Sequence, residues 1–168
     1  MGIFRKLISK FTPPKGYAKV NVEFTEEEAK AIATGMERFA IVANADEQEG
    51  TMYVHPKAYD AMTAKALNDY VEDLMVELQH CREQEAIALV AKAIKSQLKV
   101  YAIHNLPIYL FQAAGMFELI GDGARAKEFF RLFLQAQTEF TPDDVDNIIL
   151  KQSGFDISKL VAIAKEKV

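Results

Sequence analysis

From residue 57 onward, apolar residues recur every three or four positions, which is the spacing of amphipathic α-helices. One apolar face consists of Tyr59, Met62, Ala66, Tyr70, Leu74 and Leu78, and a second consists of Ile87, Ala91, Ile94, Leu98 and Tyr101. The polar stretch 80–84 separates the two faces and contains neither glycine nor proline. The pattern fits either one long helix or a tight hairpin of two helices. Because a single helix of about 45 residues is unusual in a small domain, we predict two.

An earlier helix is predicted from the capping-box pair Thr25 and Glu28, in which each side chain bonds the backbone N–H of the other residue. Its apolar face consists of Ile32, Met36, Phe39, Ala40 and Ala43. Gly35 in the same helix permits the close approach of a neighbour. Residues 20–24 alternate apolar and polar positions as a short strand does, and 51–54 form a second candidate for a very short extended segment.

Glycine, proline and acidic residues divide the rest of the chain into further helices. The predicted starts are Asn105 with Pro107 in the first turn, Ala124 after the turn at 121–123, Thr141 with Pro142, and Asp156 or Ser158. Gly154 is a predicted stop, together with Ser153 before it. The predicted fold class is therefore all-α, with a single helical domain over residues 20–168.

The stretch 110–134, LFQAAGMFELIGDGARAKEFFRLFL, contains two apolar runs on either side of a Gly-Asp-Gly turn. Two small residues, Ala114 and Ala126, would allow two helix backbones to approach each other closely. The aromatic residues that would fill the space above and below them are Phe117, Phe130 and Phe133. The stretch therefore predicts the elbow between two antiparallel helices rather than a ligand site.

This elbow resembles a helical hairpin of the tetratricopeptide type. The matching positions are Leu110, Ala113, Ala114 and Phe117 on the first helix, Gly121 and Asp122 at the turn, and Ala126, Phe130 and Phe133 on the second helix. The matching copy covers about 106–138, and 70–100 is a candidate for an earlier, degraded copy. The resemblance implies antiparallel helical hairpins that stack as a short right-handed array.

The same resemblance implies a concave surface that binds a protein or peptide partner. It would be lined by the residues of the first helix that face away from the second helix, namely Ile108, Phe111, Gly115 and Glu118. Phe111 and Glu118 are the predicted partner contacts. Self-association of the chain through an exposed face of its last hairpin stays open as well.

Residues 1–11 are a predicted amphipathic N-terminal helix, and 12–19 are a linker in which two prolines interrupt the helix. The apolar side consists of Ile3, Phe4, Leu7, Ile8 and Phe11, with Arg5, Lys6 and Lys10 on the other side. Two interpretations are open. The helix packs on the body of the protein, or it anchors the protein to a membrane surface by apolar insertion and attraction to anionic lipid.

Charge is distributed unevenly along the chain. The net charge is −4, and the five charges before residue 23 are all basic, so the remaining residues carry −9. An acidic body argues against nucleic acid as the main partner, because phosphate neutralisation needs a basic surface. The single cysteine excludes an intrachain disulfide, and no apolar stretch reaches the roughly 18–20 residues of a spanning helix. The expected location is cytoplasmic, and peripheral to a membrane if residues 1–11 act as an anchor.

Residues that could carry chemistry are present but are not grouped. His80 and Cys81 are adjacent and point to different helix faces, and no second pair lies at the spacing of a zinc site. The acidic loop 44–50 departs from the ligand spacing of a calcium loop, and the turn at 121–123 has no phosphate-binding context. We therefore predict no catalytic residue, no metal ligand and no cofactor.

Together these patterns predict a non-catalytic protein–protein interaction module, either an adaptor or chaperone-like. One alternative is a peripheral protein that residues 1–11 tether to a membrane or to a complex. A second alternative is an enzyme whose site assembles from residues distant in sequence. An apolar cleft with two or more perturbed ionisable groups would indicate that second alternative.

Overall fold

The computed structural model describes residues 22–44 and 56–168 of the chain. Within these ranges the backbone forms helices and no strand, so the all-α prediction is confirmed. In chain order the helices are α1 (Glu26–Asn44), α2 (Pro56–Glu77), α3 (Glu83–Ile103), α4 (Ile108–Leu119), α5 (Gly123–Glu139), α6 (Asp144–Ser153) and α7 (Ile157–Lys167).

Neighbouring helices pack against one another in chain order, from α1 to α5. The connections from α2 to α5 are short, so these four helices run antiparallel to their neighbours. α7 packs on α5 and more lightly on α4, whereas α6 contacts α2. The result is a stack of helical hairpins around one apolar core, as predicted for the fold class.

The stretch 57–103 forms two helices, as predicted. After α2, the backbone N–H groups of Gln79 and His80 bond the carbonyls of Val76 and Glu77, which tightens the end of the helix into a turn. At the start of α3, Glu85 accepts a hydrogen bond from the backbone N–H of the residue before the helix, at 3.3 Å. These local bonds reverse the chain without glycine or proline.

The predicted capping box at the start of α1 is confirmed. The backbone N–H of Thr25 donates to Glu28 at 2.8 Å, and that of Glu28 donates to Thr25 Oγ1 at 3.2 Å. Glu28 is also buried against α3, where its carboxylate accepts from Ser96 Oγ and Lys99 Nζ, both at 2.6 Å. Burial raises the pKa of Glu28, but these hydrogen bonds lower it by more, so the pKa lies below its ordinary value.

Gly35 lies at the closest approach of α1 and α2. A Cβ atom at this position would lie 2.5 Å from the Cβ of Ala66. The neighbouring Met36 and Ala66 itself are buried in the contact between the two helices. The predicted role of Gly35 in admitting a close neighbour is therefore confirmed.

The elbow predicted between α4 and α5 is also confirmed. Gly121 has a φ of +76°, a backbone conformation that favours glycine, and Asp122 caps α5 by accepting from the backbone N–H of Arg125 at 3.0 Å. Ala114 and Ala126 are buried where the two helices meet. The side chains buried around them include Phe117, Phe130 and Phe133.

Two predicted helix starts are wrong by two residues. α4 begins after Pro107 and not after Asn105, because Leu106 and Pro107 are still buried in the connection from α3 while Asn105 is exposed. α6 is capped by Asp143 and not by Thr141. Asp143 exchanges two reciprocal backbone-to-side-chain bonds with Asp146, at 3.0 and 3.1 Å, whereas a single threonine cap supplies one.

The end of α6 and the start of α7 follow the sequence signals. Gly154 has a φ of +69° and ends α6, and Asp156 caps α7 by accepting from the backbone N–H of Lys159 at 3.2 Å. Residues 22–25 have no regular structure, so the described part of the candidate segment 20–24 is not a strand. Residues 51–54, the N-terminal helix 1–11 and the linker 12–19 lie outside the described residues. Of the helices in the described ranges, none combines the length and the apolar character needed to cross a membrane.

Candidate functional site

A groove of about 540 Å³ lies between α2 and α4, with α3 beneath it. It is lined by Asn68, Val71, Glu72, Met75 and Val76 of α2, by Gln79 in the turn after α2, by Gln97 of α3, and by Gln112, Gly115, Met116 and Leu119 of α4. Val71 and Met116 are buried, whereas Val76 and Leu119 are 56% and 61% exposed. The groove therefore combines buried apolar side chains with exposed ones at one end.

Two buried amide side chains of the groove have a carbonyl oxygen without a partner. The amide nitrogen of Asn68 donates to Glu72 Oε1 at 2.8 Å, and because an ionised carboxylate only accepts hydrogen bonds, Asn68 Oδ1 must point away from Glu72. The amide nitrogen of Gln97 donates to Gln112 Oε1 at 2.9 Å. Neither Asn68 Oδ1 nor Gln97 Oε1 receives a hydrogen bond from the described residues.

These two oxygens belong to side chains that form the wall of the groove. Asn68 is 7% exposed and Gln97 is 1% exposed, so neither side chain is freely hydrated. An unsatisfied buried acceptor is unfavourable by about 1–3 kcal/mol, which is why such groups are usually bonded to water or to a ligand. The two oxygens are themselves closed to solvent, so the acceptor that the groove exposes is the Glu72 carboxylate.

A second cavity of about 250 Å³ adjoins the first and shares Asn68, Glu72 and Gln112 with it. Its remaining lining residues are Lys65 of α2, Ile108 and Tyr109 of α4, Ile149, Leu150, Gln152 and Ser153 of α6, and Phe155. α6 thus lies against the side of the α2–α4 groove that contains the start of α4. Burial raises the pKa of Tyr109, so its hydroxyl stays neutral and can donate a hydrogen bond.

The start of α6 is held by four side chains that we call the Asp146 cluster, namely Lys57, His104, Asp143 and Asp146, of which His104 and Asp146 are buried. Asp146 is 1% exposed, and its carboxylate bonds Lys57 Nζ at 2.7 Å and His104 Nε2 at 2.8 Å. Lys57 Nζ also bonds Asp143 Oδ2 at 2.5 Å, and this hydrogen bond lowers the pKa of Asp143 to about 2. The cluster joins the starts of α2 and α6 to the end of α3.

His104 is neutral in this cluster. Burial lowers its pKa, and the hydrogen bond with Asp146 raises it by less, so the pKa stays below its ordinary value. The contact is therefore a hydrogen bond from Nε2–H to the carboxylate rather than an ion pair, and the buried Nδ1 has no partner among the described residues. No member of the cluster lines either cavity, so the cluster positions α6 and does not face the groove.

The structure places the sequence-predicted partner contacts away from the groove. Phe111 packs edge-on against Phe130 and Phe133 of α5, with ring centroids 5.4 and 5.3 Å apart, and Glu118 pairs with Lys167 of α7 at 2.7 Å. On a helix with 100° per residue, the positions of Phe111 and Glu118 are rotated about the axis of α4 by roughly 90° from the face that lines the groove. Of the predicted concave surface, Ile108 and Gly115 do line the cavities.

The polar residues of the groove were missed by the sequence analysis. Their signal was present, because Asn68 and Glu72 are four residues apart on α2 and therefore lie on the same face. Gln97 likewise interrupts the apolar pattern between Ile94 and Leu98. Such amides in an otherwise apolar stretch are a signal for a buried polar site.

No protein-family model, curated protein or solved structure matches the chain. In the part of the chain that the structure describes, no group of three or more histidine, cysteine, aspartate or glutamate residues is arranged to hold a metal ion. The tetratricopeptide resemblance stays a prediction, as do the partner contacts at Phe111 and Glu118. The predicted anchor residues at 3–11 lie outside the described residues.

Proposed function

We propose that the chain is a non-catalytic protein-binding module of tetratricopeptide-like type, an adaptor or a chaperone-like protein. The groove between α2 and α4 is the binding site in this proposal, and it receives a segment of a partner protein. The observation that supports it is the combination, in one groove, of apolar walls that include the exposed side chains of Val76 and Leu119 with the exposed carboxylate of Glu72. A polypeptide supplies both apolar side chains and hydrogen-bond donors.

The dimensions of the groove suit a short segment. Its lining on α2 runs from Asn68 to Val76, which spans roughly 12 Å along the helix at 1.5 Å per residue. That length corresponds to about two turns of a docked helix or about four residues of an extended strand. The exposed side chains of Val76 and Leu119 at one end are available for apolar contact with it.

The experiment that tests this function is affinity capture of proteins by the tagged full-length chain, compared with a variant whose groove is filled. Gly115→Phe is suitable, because a Cβ at Gly115 meets no atom within 4 Å and the added ring would occupy the groove. Ala162→Phe on α7 is the matched control, since Ala162 is exposed and does not line either cavity. Circular dichroism verifies that both variants remain folded.

The proposal expects a partner that wild type and Ala162→Phe retain and that Gly115→Phe loses. A partner retained equally by all three proteins would contradict the groove as the binding site. Recovery of no specific partner by any of the three would contradict the proposed function.

A further inference from the structure

α6 is attached to the rest of the protein mainly by polar contacts. Its only buried residue is Asp146, a carboxylate, whereas its inward apolar residues Ile149 and Leu150 are half-buried. α7 has a similar length and is held by two buried apolar residues, Leu160 and Ala164. Because burial of apolar side chains is the main source of attachment between helices, α6 is held less firmly by packing than α7 and depends more on the Asp146 cluster.

The space beneath α6 is not filled. The second cavity of about 250 Å³ lies between α6 on one side and α2 and α4 on the other. Ile149 and Leu150 face Ile108 and Tyr109 across it. Packed protein interiors contain few voids larger than a water molecule, so a cavity of this size shows that α6 covers the wall beneath it without interdigitating closely.

The wall that α6 covers is a continuation of the groove. α2 and α4 run in the same direction, because each is antiparallel to α3. On α4, the second cavity is lined from Ile108 to Gln112 and the groove from Gln112 to Leu119. The two cavities therefore lie end to end, and α6 closes one end. Without α6, the groove would extend roughly 16 Å along α4 instead of roughly 10 Å, at 1.5 Å per residue.

The chain on both sides of α6 permits it to move as a unit. Residues 141–143 and 154–156 lie outside the helices and are exposed. Gly154, with a φ of +69°, forms the connection to α7. Short exposed connections of this kind are the positions at which a helix or lid rotates away from a protein body.

We propose that α6 is a displaceable strap. The Asp146 cluster latches it over one end of the groove, and its release opens a continuous groove along α4 from Ile108 to Leu119. A partner segment that fills the whole groove has to displace α6, so the strap lowers the affinity for that segment in proportion to the fraction of molecules in which it is closed. The nature of the occupant rests on the proposed function, whereas the movement of α6 does not.

The movement is tested with cysteine reporters in the full-length chain, which carries Cys81→Ser so that each protein has one thiol. Ile108→Cys places the thiol in the wall that α6 covers, at a position that is 4% exposed. Val90→Cys is the matched reporter, because Val90 is 2% exposed in the core on α3 and lines neither cavity. The rate of alkylation by N-ethylmaleimide at neutral pH is measured by mass spectrometry for each reporter, with and without Asp146→Ala.

Asp146→Ala should accelerate the alkylation of Ile108→Cys by about 10- to 100-fold more than that of Val90→Cys, which corresponds to the loss of a hydrogen bond between charged groups. Asp144→Ala removes an exposed carboxylate from the same turn and should leave the ratio of the two rates unchanged. Equal acceleration of both thiols by Asp146→Ala, or acceleration of neither, would overturn the strap. If Asp146→Ala does not fold by circular dichroism, Asp146→Asn keeps the side-chain shape and is judged by the same ratio.

The effect on binding is tested with the partner that affinity capture recovers. Asp146→Ala should bind it more tightly than wild type does, and Asp144→Ala should bind it equally well. Equal affinity of wild type and Asp146→Ala for a partner that Gly115→Phe loses would overturn the restriction by α6 and leave groove binding intact. Recovery of no partner would contradict the proposed function alone, because the cysteine reporters decide the movement of α6 without one.

Discussion

The Asp146 cluster gives a quantitative prediction about how α6 is held. The perturbation is Asp146→Ala, which removes a carboxylate that is 1% exposed and bonds Lys57, His104 and the backbone N–H of Asp143. Asp144→Ala is the matched control. It removes an exposed carboxylate from the same first turn of α6, so both variants change helix propensity and the helix dipole in the same way.

The expected magnitude follows from the three contacts. Loss of the capping box is worth about 1 kcal/mol. His104 would be left buried with no partner on either ring nitrogen, which costs about 1–3 kcal/mol. The ion pair with Lys57 adds at most about 1 kcal/mol, because the Lys57 side chain is 36% exposed and keeps Asp143 as a partner. Asp146→Ala should therefore lower the free energy of unfolding by about 2–5 kcal/mol.

The assay is urea denaturation at neutral pH followed by far-ultraviolet circular dichroism, with the free energy of unfolding extrapolated to water. Asp144→Ala should lie within about 0.5 kcal/mol of wild type, as exposed substitutions usually do. Amide hydrogen exchange should also show loss of protection in α6 before the core of α3 opens. A difference between Asp146→Ala and Asp144→Ala of less than about 1 kcal/mol, against the expected difference of about 2–5 kcal/mol, would refute the reasoning.

Three further predictions use the same unfolding assay. Lowering the pH below about 6.5 should reduce the free energy of unfolding, because burial lowers the pKa of folded His104 and the unfolded chain then binds a proton that the folded chain does not. His104→Gln should remove this pH dependence, whereas His80→Gln, at an exposed position, should retain it. If His104→Gln retained the pH dependence and His80→Gln removed it, burial of His104 would not be the cause. Gly35→Ala should destabilise the protein by about 1–3 kcal/mol, because the new Cβ would lie 2.5 Å from that of Ala66. Gly115→Ala should stabilise the protein by up to about 1 kcal/mol, because a Cβ there meets no atom within 4 Å and alanine is the better helix former. Equal effects of Gly35→Ala and Gly115→Ala on the free energy of unfolding would contradict the argument that the space around each glycine decides the outcome.

Features that depend on neighbouring residues were predicted well from the sequence. The capping box of Thr25 and Glu28, the turn at 121–123, the stop at Gly154 and the cap at Asp156 all involve partners within a few residues. The helical period of the apolar residues likewise fixed the all-α class. These signals are reliable because the hydrogen bonds and apolar contacts involved form between residues that are close in the chain, and so they depend little on the rest of the fold.

The errors in helix starts show where local signals are insufficient. Asn105 and Thr141 are both good capping residues by type, yet neither caps a helix. At α4 the burial of the preceding segment decides where the helix begins. At α6 the bonds of Asp146 to Lys57 and His104, which are 89 and 42 residues away in sequence, add to the capping box and favour the Asp143 start.

The candidate site was decided by the tertiary structure. The sequence predicted a binding surface on α4 formed by Ile108, Phe111, Gly115 and Glu118. Ile108 and Gly115 line the cavities, whereas Phe111 and Glu118 do not. Which side of a helix is covered depends on the positions of the neighbouring helices. Here α5 contacts Phe111 and α7 contacts Glu118. The groove exists because α2 and α4 flank α3 with a gap between them, and Asn68 and Gln97 acquire their unpartnered oxygens only through that packing. The sequence by itself therefore determined the helices and most of their ends, because hydrogen bonds and apolar periodicity act over a few residues. The groove and the Asp146 cluster are contacts between residues that are far apart in the chain, and only the packed structure brings them together.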